Sequence, residues 1–390
     1  MKILLKNANI YGSRSADILV EDGVITGIGS FDAADEIHDM SAYASVLPGV
    51  IDAHMHIVTG DIEYNDRALR SWALAGVTTV RDLGMGNDKN EHPTREFLAY
   101  RETIKTPERA HCLTAGRFVA EYHGLNHIMS DGAETGYGCQ TPEDAKNAVN
   151  ELIDMGCEGI KTSVGRGMDG KSPVLSVEKL KAIADTAKAR GVWCTAHVLD
   201  SDLIPRLLEA GIPEFAHMPT DHVPDELLRR MVEQGVPCTP TLMSINAPRP
   251  PMPKGAKPPE MPPTPKDMPP MPDPKAQEAI CVDNVRRFVE MGGVVAVGTD
   301  TMRMESQPHV ATIPVRELQL LHQAGLSVSQ VIDAATITAA KLCKIDDQVG
   351  SIEVGKKANI IAVKDAIDET FAALSHVEFV MNRGAVIKEV

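Results

Sequence analysis

Between residues 46 and 300, short apolar runs alternate with helical patterns, and this alternation restricts the fold more than any other feature of the chain. The eight candidate strands are 46–56, 77–84, 111–119, 159–164, 192–198, 214–218, 237–242 and 294–300. Stretches between them, such as 142–156, 176–191 and 224–235, carry a Ser, Thr or Asp near the start, apolar residues three and four apart, and a closing Gly. Those are the marks of capped amphipathic helices. Strand–helix units repeated in this way set successive strands in parallel. Eight of them predict a (β/α)8 barrel of TIM type, whose active site lies at the carboxyl ends of the strands.

A chain of 390 residues leaves room for a smaller module beside such a barrel. Residues 2–29 are β-favouring runs broken at Tyr11-Gly12 and Asp22-Gly23, and the segment after Gly350 gives further strands separated by Gly355-Lys356 and Arg383-Gly384. Turn pairs of this kind mark hairpins. The two ends are therefore expected to form one β-sandwich module, 1–45 with 346–390, flanking a barrel over 46–345, because termini of a folded unit commonly lie close together.

Apolar residues make up 43% of the chain and aromatics only 4%, so the core must be aliphatic. The formal charge of −15 argues against nucleic acid or an anionic membrane as partner, since both require a basic surface. A small molecule is the expected partner. The opening MKILLKNANIYG has only a short apolar run before Lys6 and no small-residue cleavage site, so it reads as a strand, not a secretion signal. No stretch approaches the ~20 apolar residues of a membrane span. The seven cysteines are scattered and form no CxxC pair, which suits reduced thiols and a cytoplasmic location.

Residues 247–274 break the pattern: 13 of the 26 prolines and four methionines fall there. Such a composition favours extended polyproline and is incompatible with barrel core. Because the segment follows the seventh strand, it leaves from the active-site face. It reads either as a lid, pocket wall or arm to a neighbouring subunit, or as a disordered surface loop.

The strongest chemical signal is His54-Met55-His56 at the end of the first barrel strand. Residues two apart on a strand share a face, so both imidazoles point into the barrel mouth and form a ready chelate. Four other strand ends each add a candidate ligand: Lys161 in GIKTS, His197 in CTAHV, His217 in FAHM and Asp300 in VGTD. Neutral imidazoles suit zinc and similar ions, and a carboxylate adds charge neutralisation and a proton site.

PGVIDAHMH, the lysine on strand four, the single histidines on strands five and six, and GTD on strand eight together resemble the amidohydrolase superfamily in its binuclear subtype. The flanks VEDGVITGIG, ATITAAKLCKI and GSIEVGKKANIIAV are similar to that family's hairpin, helix and tail motifs, so the resemblance covers nearly the whole chain. It implies two divalent metal ions, zinc foremost, with manganese or iron as alternatives. His54, His56 and Asp300 would hold the more buried ion and His197 and His217 the more exposed one, with Lys161 carboxylated to a bridging carbamate. A metal-bridged hydroxide would attack the substrate carbonyl, and Asp300 would pass its proton to the leaving nitrogen. Carboxylation needs a deprotonated amine, which burial and nearby cations favour.

Other residues are weaker candidates. Tyr122 and His123 follow strand three, where several family members place a substrate-contacting histidine. Arg166 suits a bidentate hold on a substrate carboxylate, or is a solvated loop residue. His111, opening strand three, belongs at the stability face. His222, His309 and His322 read as surface or helix residues, and Met302 and Met304 as packing or pocket lining.

Within the family the pattern is most similar to Xaa-Pro and Xaa-Arg dipeptidases, with imidazolonepropionase-like enzymes as relatives. An aromatic-containing stretch common after their lysine strand is replaced here by Pro173-Val174-Leu175-Ser176, so no tyrosine contact to a dipeptide carboxylate carries over. The implied activity is metal-dependent hydrolysis of an amide, peptide or cyclic amide C–N bond in a small molecule, by a homo-oligomer. One rival is a mononuclear deaminase, which would lack Lys161 and carry a glutamate beyond the strand-five histidine, where Asp200 stands here. The other is a metal-free barrel acting as an interaction protein, against which the complete ligand set counts.

Overall fold

The computed structural model describes residues 1–57, 61–84, 93–104, 106–124, 136–166, 170–246, 273–302 and 311–390. Of the proline- and methionine-rich segment 247–274, residues 247–272 lie outside the described residues, as do Met304 and His309. The fold is mixed α/β. In chain order its strands are β1 Lys2–Ile10, β2 Arg14–Glu21, β3 Val24–Gly29, β4 Glu36–Asp39, β5 Ser45–Pro48, β6 Val50–His56, β7 Val77–Asp82 and β8 His111–Thr114. There follow β9 Phe118–Glu121, β10 Gly136–Cys139, β11 Gly159–Ser163, β12 Trp193–His197, β13 Thr301–Met302, β14 Ile360–Val363, β15 Phe379–Asn382 and β16 Ala385–Glu389.

Both chain ends enter one sheet, in the order β16-β15-β14-β5-β1-β2-β3, with β4 on β1. The two-residue turns Asp22-Gly23 and Arg383-Gly384 have positive φ at both positions, the geometry that matches the twist of a tight hairpin. The turns also meet: a Cβ on Gly384 would lie 2.3 Å from the Gly23 Cα, so only glycine allows this contact. One face of the sheet carries its own apolar cluster, in which Ile3, Leu5, Ile18 and Val20 pack with Val46, Ile360, Phe379 and Met381.

A second system of strands is parallel. β13, β6, β7 and β8 form one sheet and β10, β9, β11 and β12 another. Parallel bridges continue from Ala196 to Phe215, from Phe215 to Cys238 and from Cys238 to Val295. The Ala53 N–H then donates to the Val297 carbonyl at 2.9 Å, joining the eighth run to the first. Every residue of β6 and β7 is buried, as befits parallel strands covered on both faces. The expected strand 111–119 is interrupted at 115–117, where Gly116 has φ +67 and a Cβ there would meet the Cys157 Sγ at 2.8 Å.

The helices start where the sequence places caps. Thr141 and Ser327 each make a capping box, with Asp144 and Gln330, while Asp61 and Ser176 accept from the backbone three residues on. Each such cap is worth about 1 kcal/mol. Gly76 and Gly156 end their helices in the left-handed conformation. Helix 225–233 departs from the expected capping pattern: Pro224 precedes it and no side chain caps it. Among the described residues no helix is long and apolar enough to cross a membrane.

Candidate metal centre

β6 ends in His54 and His56, both buried. Their Nε2 atoms lie 3.3 Å apart. The Oδ1 of Asp300 lies 3.2 Å from the first and 3.1 Å from the second. Asp300 reaches this position with a left-handed backbone, φ 52, its N–H donating to the His54 carbonyl at 2.8 Å. Gly298 makes the approach possible, since a Cβ there would stand 2.6 Å from that of His54.

Three ligand atoms with nearly equal separations have a simple meaning. An ion bound tetrahedrally at ~2.0–2.1 Å holds its ligands about 3.3 Å from one another. The observed triangle matches that edge. Among the described residues, these three form the cluster of His, Cys, Asp or Glu side chains close enough to share an ion.

The ring orientations leave the correct atoms free. His56 Nδ1 donates to the Gly84 carbonyl, so Nε2 keeps a lone pair for the cluster. Asp82, at the end of β7, secures that carbonyl by accepting from Gly84 N at 3.1 Å and from Ile57 N at 2.9 Å. Asp52 accepts from His54 N and Thr299 N, both at 3.1 Å, and from Thr299 Oγ1 at 2.7 Å. It thereby ties the first run to the eighth; burial pushes its carboxyl up to about 7.

The remaining expected ligands gather around this triangle. The His217 ring centroid is 4.6 Å from that of His54 and 4.6 Å from that of His197. His217 Nδ1 pairs with Thr241 Oγ1 at 2.8 Å. Lys161, in the middle of β11, is 1% exposed, and its Nζ has no hydrogen-bond partner. An unpartnered buried amine is costly, and burial pulls its pKa down to about 7.

The electrostatics fit a cation site. Burial, and then the Lys161 charge, hold His54 well below the ordinary imidazole range, and burial brings His197 to about 3. These rings are neutral donors. Burial raises the Asp300 carboxyl, but the neighbouring His54, His56 and His217 outweigh it and hold the group well below its usual range. The donor set thus combines neutral imidazoles, an anionic carboxylate and an orphaned amine, and it fits divalent ions of the zinc type.

The weaker candidates are placed differently. Tyr122 and His123 follow β9 with their rings 3.9 Å apart, and Tyr122 is 36% exposed. Arg166 is engaged by Asp202 through two bonds of 2.9 and 2.7 Å, with Asp200 at 3.5 Å. His111 lies at the start of β8 against Arg383, 3.1 Å away. His222 meets Arg287 at 3.2 Å, and His322 bonds the Leu326 carbonyl at 2.7 Å. Met302 sits in β13, paired with His56.

The profile of the amidohydrolase family matches residues 45–389. The chain belongs to the amidohydrolase family. As such it is a hydrolase acting on carbon–nitrogen bonds. This amidohydrolase is 25% identical over 403 residues to the imidazolonepropionase of Geobacillus sp. (strain WCH70), covering 89% of this chain and 83% of that protein. Its fold is similar to that of a Xaa-Pro dipeptidase solved with methionine in the active site, with TM-score 0.78, 22% identity and full coverage of both chains. It is also similar to a putative prolidase from Bifidobacterium longum, with TM-score 0.78 and 25% identity over 99% of this chain and 94% of that one. The structural neighbours are of TIM-barrel type.

Sequence reading missed the residues that orient the candidate ligands of this amidohydrolase: Asp52, Asp82, Gly84 and Thr241. It also missed a buried ion pair deeper in the molecule, where Arg81 Nη1 donates to Glu214 Oε2 at 2.9 Å and Arg81 Nε to the Ala53 carbonyl at 2.6 Å. The available signal was the Arg81-Asp82 pair inside a run of β-branched residues, where charged side chains need partners.

Proposed function

We propose that this amidohydrolase is metal-dependent and cleaves an amide, peptide or cyclic amide bond of a small molecule. The observation that carries the reading is the triangle of His54 Nε2, His56 Nε2 and Asp300 Oδ1 with sides of 3.1 to 3.3 Å. His54, His56 and Asp300 would hold one divalent ion and His197 and His217 a second, with a carboxylated Lys161 between them. Such ions, zinc foremost, supply acidification of a water and polarisation of the scissile carbonyl.

The chain's own residues do the rest. His56 and His217 are fixed by Gly84 and Thr241, so their free nitrogens stay aimed at the site. Asp300, in reach of both β6 imidazoles, takes the proton of the attacking water on a carboxylate oxygen and returns it to the leaving nitrogen. The parallel pairings support a closed (β/α)8 barrel over about 46–345 that carries this site at its carboxyl-end mouth. The sheet built from both chain ends supports a separate β-module, and β5 reaches into it.

The names of the relatives direct the first assays to cyclic amides and Xaa-Pro dipeptides, followed by N-acyl amino acids, hydantoins and lactams. Purified protein loaded with zinc or manganese is expected to retain about two ions per chain and to hydrolyse one of these classes in a chelator-sensitive way. Failure to retain any ion would sink the reading. One ion with release of ammonia from a heterocycle would replace it with deamination.

A further inference from the structure

We propose that Glu317, which touches none of the ligands, is a positioning residue of the metal centre and sets the orientation of His217 through the backbone of Thr241. The role toward an ion rests on the reading above; the positioning itself does not.

The chain of contacts is short. His217 Nδ1 meets Thr241 Oγ1 at 2.8 Å. Thr241 has φ 52 and ψ 42, a left-handed conformation that is unfavourable for a non-glycine residue and least suited to a β-branched one. Something must hold it there. The two N–H groups that follow, of Leu242 and Met243, donate to the two carboxylate oxygens of Glu317 at 3.0 and 2.7 Å. They belong to the first turn of helix Leu242–Ile245, where N–H groups have no partner within the helix. Glu317 is fully buried and arrives from helix Val315–Gln323, far along the chain. Ser244 adds a further tie, its hydroxyl donating to the Thr241 carbonyl at 2.8 Å.

The strained residue and the imidazole partner are the same residue, and this separates positioning from simple capping. With Thr241 in extended backbone, its hydroxyl would leave on a different side and His217 Nδ1 would lose its partner. His56 is served by the same device: the Asp82 carboxylate accepts from Ile57 and Gly84 N–H groups, and the Gly84 carbonyl then takes the His56 ring proton. Two imidazoles of the cradle are each set by a buried carboxylate acting through one turn of backbone. For His217 that carboxylate comes from outside the strands, so the packing of helix Val315–Gln323 bears on the site.

The test uses metal-free, 15N-histidine-labelled full-length protein, with His217 assigned by the signal missing in His217→Asn. Wild type is expected to show His217 protonated at Nδ1. Glu317→Gln and Thr241→Val should each move it toward the other tautomer or a mixture and weaken retention of the second ion about 10–100-fold, while Thr241→Ser restores wild-type behaviour. Should Glu317→Gln not fold, Glu317→Asp carries the same expectation. Unchanged His217 signals and unchanged ion retention in the folded Glu317 variant overturn the proposal. If wild type retains no ion, the metal reading fails, and the tautomer measurement still decides the role of Glu317.

Discussion

Two clusters of buried polar side chains are carried by the same parallel strands. In one, Arg81 and Glu214 pair, Thr239 Oγ1 donates to Glu214 at 3.1 Å, and the guanidinium lies 4.9 Å from the centre of the Trp193 ring. Each charged atom there has partners. In the other, Lys161 Nζ and His54 Nδ1 have none, and neutral imidazole nitrogens crowd to 3.3 Å. Charged groups that pair within the protein are architecture; an amine and an imidazole nitrogen left open by the protein's own groups fit a site for a ligand.

The sharpest way to break this contrast is to exchange the penalties. Glu214→Ala leaves Arg81 buried and uncompensated, and is expected to cost about 3–5 kcal/mol of stability in urea titrations, with activity per folded molecule retained. Asp300→Asn is expected to do the reverse, lowering kcat about 10³-fold on the substrate found by screening with little change in unfolding. An active Asp300→Asn enzyme would remove the proton role. Lys161→Met should make the metal-free protein more stable by about 1–3 kcal/mol while abolishing retention of the second ion; a loss of stability would mean the amine was already satisfied.

A charge at the surface should matter least. Asp66 is held below its usual range by hydrogen bonds from Arg109 and then Tyr100, against the opposing effect of burial. A lowered folded-state pKa means that its contribution is present above the unfolded value of 3.8 and is lost as the pH falls through the folded value. Asp66→Asn is therefore expected to cost about 1 kcal/mol at pH 7 and nothing in strong acid. A constant deficit across that range would assign the effect to packing.

Much of this was legible in the sequence because it depends on local pattern. The runs carrying His54, His56, Lys161, His197, His217 and Asp300 follow from their apolar pattern, and the helix starts near 142 and 176 follow from Thr141 and Ser176. What was not legible depends on residues distant in sequence meeting in space. Arg166 carries no mark of Asp202, because a loop ion pair is set by backbone path and not by periodicity. Glu317 reads as one more charge on an amphipathic helix; only the packing of that helix against residues 241–243 reveals its task. Asp82 looks like a strand-end residue until Gly84 and His56 are seen to depend on it.

The shared sheet has a consequence for the order in which the protein is made. β5 lies between β1 and β14, with Val46 opposite Ala362. When β1 to β5 leave the ribosome, the strand that must cover β5 has yet to be translated, and the whole intervening domain comes first. Nascent chain therefore carries an unpaired apolar strand edge for most of its synthesis, an open template for wrong pairing. Final closure joins residues nearly a chain length apart, the kind of contact that forms slowly. Chaperone dependence and aggregation during expression should accordingly track the rate at which the segment from Ile360 onward is delivered, more than the stability of the finished fold.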